Sequence, residues 1–347
     1  MEKKIQYTDQ FEGLNEFLHD NKWSSIFILV DSNTHKHCLP ILLNNIELLK
    51  NVEILEVDPG EESKDIEIAS GLWLALNELD ADRNSLLINL GGGMVCDLGA
   101  WVAANYKRGI DFIHLPTSLL AMVDASIGGK SGVNLGGIKN LVGSFTEASF
   151  VLNYLPFLDT LPQNEWDSGF AEMLKHALLS DRSFWNDLNV ISPNETEKVI
   201  GFIERSAKIK LDVVARDFKE SGLRKKLNYG HSLGHAIEAL SFDKEKCLSH
   251  GHAIALGICL ENIISYKMGR LDEGDLNAIN SVLLGIYDFP EWIFQEGDAI
   301  ISKLLKDKKN EGETIKMVLL NSVGDVEIDV AVTQKQVRDA LKYAKDE

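Results

Sequence analysis

Between Leu90 and Gly143 the chain gathers a disproportionate share of its glycines beside charged residues: LGGGMVCDLGAWVAANYKRGIDFIHLPTSLLAMVDASIGGKSGVNLGGIKNLVG. No other stretch limits the fold as strongly. Leu86–Leu90 reads as a short buried strand, Gly91-Gly92-Gly93 follows at once, and Asp97 to Ala104 reads as the first turns of a helix. Strand, triple glycine and helix start form a cradle where backbone N–H groups and the helix dipole meet an anion. A plain tight turn is the bland alternative, but the polar clusters close behind favour a nucleotide site. The loop is GGGxxxD rather than GxGxxG, so the ordinary dinucleotide fingerprint is absent.

Around this stretch, Ser25–Val30, Val52–Val57 and Asp111–Leu115 read as strands and residues 65–79 as a helix. Strand and helix alternate to about residue 155, which predicts an α/β nucleotide-binding domain with a largely parallel sheet over residues 1–157. Past Leu158 the apolar positions take a helical period through 165–180, 195–216, 228–241, 251–268 and 275–287. Strand-like runs there shrink to Lys316–Leu320 and Val326–Ile328, so residues 158–347 are expected to form an all-α domain that binds metal and substrate.

Charge excludes some partners. The formal net charge is −18, which argues against nucleic acid and anionic membranes. An anionic substrate must therefore be met by a local gathering of Lys and Arg. The opening MEKKIQYTDQFEGL has no apolar core of signal-peptide type, and no apolar run reaches membrane-spanning length. Cys38, Cys96, Cys247 and Cys259 are scattered without a CxxC pair. That fits a reducing cytoplasm better than a disulfide framework or a thiolate zinc site.

Several polar residues stand out singly. Asp31 ends a predicted strand, where open α/β sheets bind ribose; a helix N-cap is an equally good reading of it. Glu172 and Lys175 share a helix face, ordinarily a surface ion pair, but their neighbours are Ala, Leu, Met and Phe. Arg224, Asn228, His231 and His235 step by 4, 3 and 4, which aligns them down one stripe if their helix begins early enough. His231 and His235 at i, i+4 can face one metal, and Ser249-His250-Gly251-His252 adds further imidazole. Glu172, His231 and His250 make a carboxylate and two imidazoles, a catalytic zinc set with an open position.

The strings GGGMVCDLGAWVAANYKRG, PTSLLAMVDASIGGKSGVN, KNLVG, GFAEMLKHALL, GLRKKLNYGHSLGHAIEA, HGHAIALG and DKKNEG run nearly end to end. Together they resemble the 3-dehydroquinate synthase family of the sugar-phosphate cyclase superfamily. The resemblance implies a dehydroquinate synthase-like fold, NAD, a divalent metal (zinc, with cobalt as the alternative) and a homodimer. Metal would fall to Glu172, His231 and His250. NAD would fall to Asp31, Glu61, Lys64, Gly92, Gly93, Asp97, Thr117, Ser118, Leu120, Lys139 and Thr160. Substrate contacts would come from Asp124, Lys130, Asn140, Lys175, Lys210, Arg224, Asn228, His235 and one of Lys308 and Lys309, with Arg108 reaching the neighbouring subunit's phosphate site.

The implied reaction is that of a carbon–oxygen lyase in the shikimate pathway of aromatic amino-acid biosynthesis. It turns 3-deoxy-D-arabino-heptulosonate 7-phosphate into 3-dehydroquinate and phosphate by transient oxidation at C5, phosphate elimination, reduction and an intramolecular aldol. Three positions depart from the commoner family pattern. Ser118 replaces a frequent threonine, Leu135–Ile138 replaces a proline-containing loop, and His252 stands where glutamate is common, which leaves the ligand role open between His250 and His252. Two rivals remain. A sister cyclase needs no carboxylate clamp, whereas Lys210, Arg224 and Asn228 favour a carboxylated substrate. A metal-dependent polyol dehydrogenase would release NADH.

Overall fold

In the first half of the chain six strands join one sheet, and every neighbouring pair is parallel. In chain order the strands are β1 (Ile5–Thr8), β2 (Ile26–Asp31), β3 (Glu53–Val57), β4 (Leu86–Gly91), β5 (Asp111–Pro116), β6 (Lys130–Leu135), β7 (Ile138–Phe145) and β8 (Phe150–Tyr154). The sheet order is β1-β8-β5-β4-β2-β3, while β6 and β7 form a separate antiparallel pair. The computed structural model describes residues 4–136, 138–306 and 314–346. The chain divides into two compact units, Met1–Pro162 and Gln163–Glu347.

Alternation along the strands builds the first unit's two cores. Phe27, Leu29, Leu55, Leu87 and Phe112 point to one face of the sheet, where Val95, Leu98 and Trp101 of the helix Gly93–Asn105 pack. Ile28, Val30, Ile88, Leu90, Ile113 and Leu115 point to the other, against Leu14, Leu18, Leu39 and Leu42. Both faces are covered, as a parallel sheet requires. The short β1 and β8 and the β6–β7 hairpin were not among the expected strands.

The second unit is helical, with one antiparallel hairpin of β9 (Ile315–Ser322) and β10 (Asp325–Val332) where the two strand-like runs lie. Its axis is the helix His250–Lys267, mostly apolar and buried on all sides from Ala253 to Ser265, with Glu261 and Asn262 among the buried residues. The helices Gln163–Ser180, His231–Ser241, Glu273–Leu284 and Gln334–Asp346 pack around it, with β9. Among the described residues no helix is long and apolar enough to cross a membrane.

Candidate active site

Each unit carries part of the predicted chemistry. In the first, β2 lies between β3 and β4, so the strand order reverses between β2 and β4. Open α/β sheets bind ligands at the carboxyl ends of such strands, and Asp31 and Gly91 end these two. Asp31 does serve as a helix N-cap: its Oδ1 accepts from the Thr34 amide at 2.8 Å, and Thr34 Oγ1 accepts from the Asp31 amide at 3.0 Å. The glycine-loop helix begins at Gly93, a turn earlier than expected, with Gly92 as its N-cap and Gly93 to Cys96 as its first turn. Its N-cap, Gly92, gives no side-chain cap, so the first-turn amides stay available to an anion.

Asp97, one turn in, pairs with Lys64 Nζ at 2.5 Å, with side chains only 23% and 5% exposed. Asn134 on β6, which sequence reading passed over, ties this pair to its neighbours. It donates from Nδ2 to Glu61 Oε1 at 3.0 Å and from its amide to the Lys64 carbonyl at 2.7 Å, and its Oδ1 accepts the Asn140 amide at 2.9 Å. Glu61, Lys64, Asp97 and Asn140 therefore belong to one network. Lys130 and Lys139 stand on the same β6–β7 hairpin, and Asp124 lies in the π-turn Ala121–Ala125. Thr117 and Ser118 follow β5 and are buried, the Thr117 amide donating to the Gly91 carbonyl at 3.0 Å; Leu120 comes just after. Thr160 is the exposed last residue of a 3₁₀ turn whose Phe157 and Leu158 are buried. Arg108 is exposed beside Lys107, both in left-handed backbone with φ of 73° and 47°, and Lys107 Nζ holds the Ala81 carbonyl at 2.5 Å.

In the second unit Glu172 is fully buried and ion-paired with the equally buried Lys175. Glu172 Oε1 lies 3.5 Å from His231 Nε2 and 3.6 Å from His250 Nε2. The other nitrogen of each ring is occupied: His231 Nδ1 lies 3.1 Å from the Tyr229 carbonyl, and His250 Nδ1 lies 3.5 Å from Glu238 Oε2. In its neutral form, a ring that donates from Nδ1 presents a lone pair at Nε2, as metal-binding histidines do. His235 joins from the exposed side, and ligand-capable atoms of His231, His235 and His250 lie within 4.8 Å of one another. A carboxylate oxygen between two oriented imidazoles, with a third ring alongside, fits a divalent cation.

The electrostatics are uneven. Burial, then the Lys175 cation, holds His231 well below the usual imidazole value. Burial also depresses His250, but hydrogen bonding and negative charge from Glu172 and Glu238 outweigh it and lift the group to about 10.

His252 is not in the cluster. Two residues from His250, it faces another side of the helix, where its Nε2 donates to the Asp288 carbonyl at 2.8 Å and its ring lies 5.6 Å from that of Tyr287. Of the two histidines, His250 is the one whose ring stands beside Glu172 Oε1.

The stripe expected from Arg224 to His235 does not form. Gly230, at φ +79°, separates the 3₁₀ turn Leu223–Asn228 from the helix His231–Ser241. Arg224 is buried through a different device. The Asp217 carboxylate collects the amides of Ser221, Gly222 and Arg224 at 2.9, 2.8 and 3.0 Å, and Arg224 Nη1 donates to the Phe218 carbonyl at 2.6 Å. Those amide bonds hold the Asp217 carboxyl well below the usual range. Asn228 Nδ2 donates to Glu220 Oε1 at 2.8 Å, and Lys210 is buried on the helix Ile203–Arg216. Lys308 and Lys309 lie outside the described residues.

The helices that carry Glu172 and His231 meet the central helix at glycines. The Gly251 amide donates to Ser168 Oγ at 3.0 Å, and a Cβ on Gly251 would stand 2.1 Å from the Ser168 carbonyl oxygen. A Cβ on Gly257 would stand 2.0 Å from the Gly230 carbonyl oxygen. One contact sets the helix of Glu172, the other the helix of His231, against the helix that begins at His250.

The N-terminal 3-dehydroquinate synthase family matches residues 54–168 and the C-terminal one residues 169–310. The 3-dehydroquinate synthase of Parabacteroides distasonis is 37% identical over 350 residues, covering 99% of this chain and 98% of its own. The chain belongs to the 3-dehydroquinate synthase family. Membership makes it an enzyme. Among solved structures, a 2-deoxy-scyllo-inosose synthase complexed with carbaglucose-6-phosphate, NAD+ and Co2+ matches at TM-score 0.85 and 26% identity, over 98% of this chain and 96% of that one. The 2-epi-5-epi-valiolone synthase ValA of Streptomyces hygroscopicus, solved with NAD+ and Zn2+, has the same fold at TM-score 0.86 and 23% identity, over 99% and 97% of the two chains.

Proposed function

We propose that this enzyme converts 3-deoxy-D-arabino-heptulosonate 7-phosphate to 3-dehydroquinate and inorganic phosphate, in the cytoplasm and as a homodimer. The observation that carries the reading is the position of Glu172 Oε1 beside the Nε2 atoms of His231 and His250, in a chain so like a 3-dehydroquinate synthase throughout its length. Bound NAD supplies reversible hydride transfer, and Zn2+ or Co2+ held by Glu172, His231 and His250 supplies Lewis acidity toward substrate oxygens.

The remaining work falls to the chain's own groups. The Gly92–Gly93 amides suit the cofactor's pyrophosphate, and Asp31, Glu61, Lys64, Asp97, Thr117, Ser118, Leu120, Lys139 and Thr160 complete its binding. Lys130 and Asn140, with Arg108 from the neighbouring subunit, suit the substrate phosphate. Asp124, Lys175 and Asn228 suit its hydroxyls. His235, whose ring centroid is 5.1 Å from that of His231, takes the proton from the C5 hydroxyl. The departing phosphate accepts the proton of the elimination.

Arg224 decides between related substrates. Its guanidinium is 1% exposed and braced by the Asp217 loop. A desolvated, oriented guanidinium is suited to a carboxylate, which the heptulosonate has and the sugar phosphates of the sister cyclases lack. Lys210 supports the same contact.

The test is an assay with the heptulosonate phosphate. Phosphate should appear without net NADH, stop on chelation and return with Zn2+ or Co2+. Stoichiometric NADH would instead mark a polyol dehydrogenase. Turnover of glucose 6-phosphate or sedoheptulose 7-phosphate alone would mark a sister cyclase.

A further inference from the structure

We infer that Glu261 is a positioning residue for the metal ligand His231. Glu261 lies on the helix His250–Lys267 and is fully buried. Its Oε2 accepts the Gly230 amide at 2.7 Å, and its Oε1 faces the Leu233 amide at 3.5 Å. These are the N-cap and N3 amides of the helix that starts at His231. In a capping box two side chains of one helix satisfy this pair of donors. Gly230 has no side chain to offer, so a single carboxylate from the neighbouring helix serves both.

The neighbouring residue completes the grip. Asn262 Oδ1 accepts the Tyr229 hydroxyl, while its Nδ2 donates to Asn280 Oδ1 at 3.0 Å. Glu261 and Asn262 thus hold the residues on either side of the Tyr229–Gly230 peptide, whose carbonyl faces His231 Nδ1 at 3.1 Å. That carbonyl fixes the ring's tautomer and tilt, so what fixes the carbonyl fixes the direction of Nε2. The same helix begins with His250. It therefore supplies one ligand directly and aims a second.

The inference rests on His231 being a ligand, and the experiment separates the two. Full-length protein stripped of metal is titrated with Co2+ alone, and affinity is read by competition with a chromophoric chelator alongside the visible Co2+ spectrum. Glu261→Gln keeps the size but turns an NH2 toward one of the two amides. It should weaken Co2+ binding about ten-fold or more, within the range of outer-shell substitutions, and shift the Co2+ absorption band. Glu261→Asp, which keeps the charge, should recover part of both. A Glu261→Gln protein that melts earlier but binds Co2+ with the parent's affinity and spectrum would overturn the positioning role and leave only a helix cap. His231→Ala is the control. If it keeps full metal occupancy, the ligand assignment fails, whatever Glu261 does. Should Glu261→Gln not fold, Asn262→Ala removes the Tyr229 tether together with the Asn280 bond, leaves Glu261 in place, and is judged by the same affinity and spectral shift.

Discussion

The two units prepare their ligand sites in different ways. The first offers backbone: an uncapped helix start at Gly92, strand ends at Asp31 and Gly91, and a hairpin joined through Asn134. The second offers side chains, Glu172, His231 and His250, each on a different packed helix. A backbone site needs open space near a strand end, and the fold provides that whatever side chains surround it. A side-chain site needs three helices in register, so here ligand binding and core packing depend on the same contacts. Glycine has opposite meanings in the two regions. A Cβ at Gly92 would stand 3.4 Å from its nearest neighbour, Ser118 Oγ, whereas Gly257 leaves room for another helix.

The largest effect should come from Glu172→Gln. It should abolish metal retention and lower kcat/KM by at least about a thousand-fold, the several kcal/mol that a Lewis acid supplies. It also leaves Lys175, 1% exposed, without its carboxylate, a loss of about 3–5 kcal/mol for a broken buried pair. Metal analysis and thermal unfolding read both, and parent-like metal content would break the contrast between the units. Next comes Gly257→Ala, whose methyl would meet the Gly230 carbonyl oxygen at 2.0 Å. Overpacking of this kind costs about 1–3 kcal/mol, so Tm and metal affinity should fall together; a fall in only one would separate packing from ligand geometry.

Gly92→Ala should behave in the opposite way. Its backbone φ of −72° suits any residue, and the nearest atom to the new methyl, Ser118 Oγ, is 3.4 Å away. Tm should hold while the NAD dissociation constant rises roughly ten-fold, about 1.4 kcal/mol, through lost backbone approach; unchanged NAD affinity by calorimetry would remove Gly92 from the cofactor site. The smallest effect is expected at Asp217. Its folded carboxyl titrates below the ordinary 3.8, chiefly through the Arg224 and Gly222 amides. The contribution is therefore complete above that value and is lost as pH falls through the folded one. Asp217→Asn should lower Tm at neutral pH, with the deficit closing under acid; a deficit constant with pH would mean that the charge is irrelevant to the loop.

Much of this was legible in the sequence, and what was not has a physical pattern. The strands from β2 to β5 and the long helices carry strong apolar periodicity, and their ends came within a few residues. The β6–β7 hairpin is hard to read because its residues, KSGVNL and IKNLVGSF, mix polar groups and glycine with few apolar ones; backbone bonds between its strands and to the Lys64 segment hold it, and Val133 joins the core with Val142 packed beside it. Type and spacing single out Asp31, Gly92, Gly93, Glu172, Lys175, Arg224, Asn228, His231, His235 and His250, while the other candidate residues follow from the family resemblance. Their supports, Asn134 and Glu261, do not stand out, since a lone Asn or Glu gains meaning only from an amide brought to it by another part of the chain. The Arg224-to-His235 stripe failed for a related reason. Spacing assumes one helix, and a left-handed Gly230 ends that assumption.

The separation of Glu172, His231 and His250 along the chain has a thermodynamic consequence. An unfolded chain cannot bring three such distant groups to one ion, so an ion held by all three binds only the folded unit. Mass action then adds stability that grows with the logarithm of metal concentration, about 2.7 kcal/mol at a hundred times the dissociation constant. The second unit's melting temperature thereby becomes a gauge of the metal supply around it.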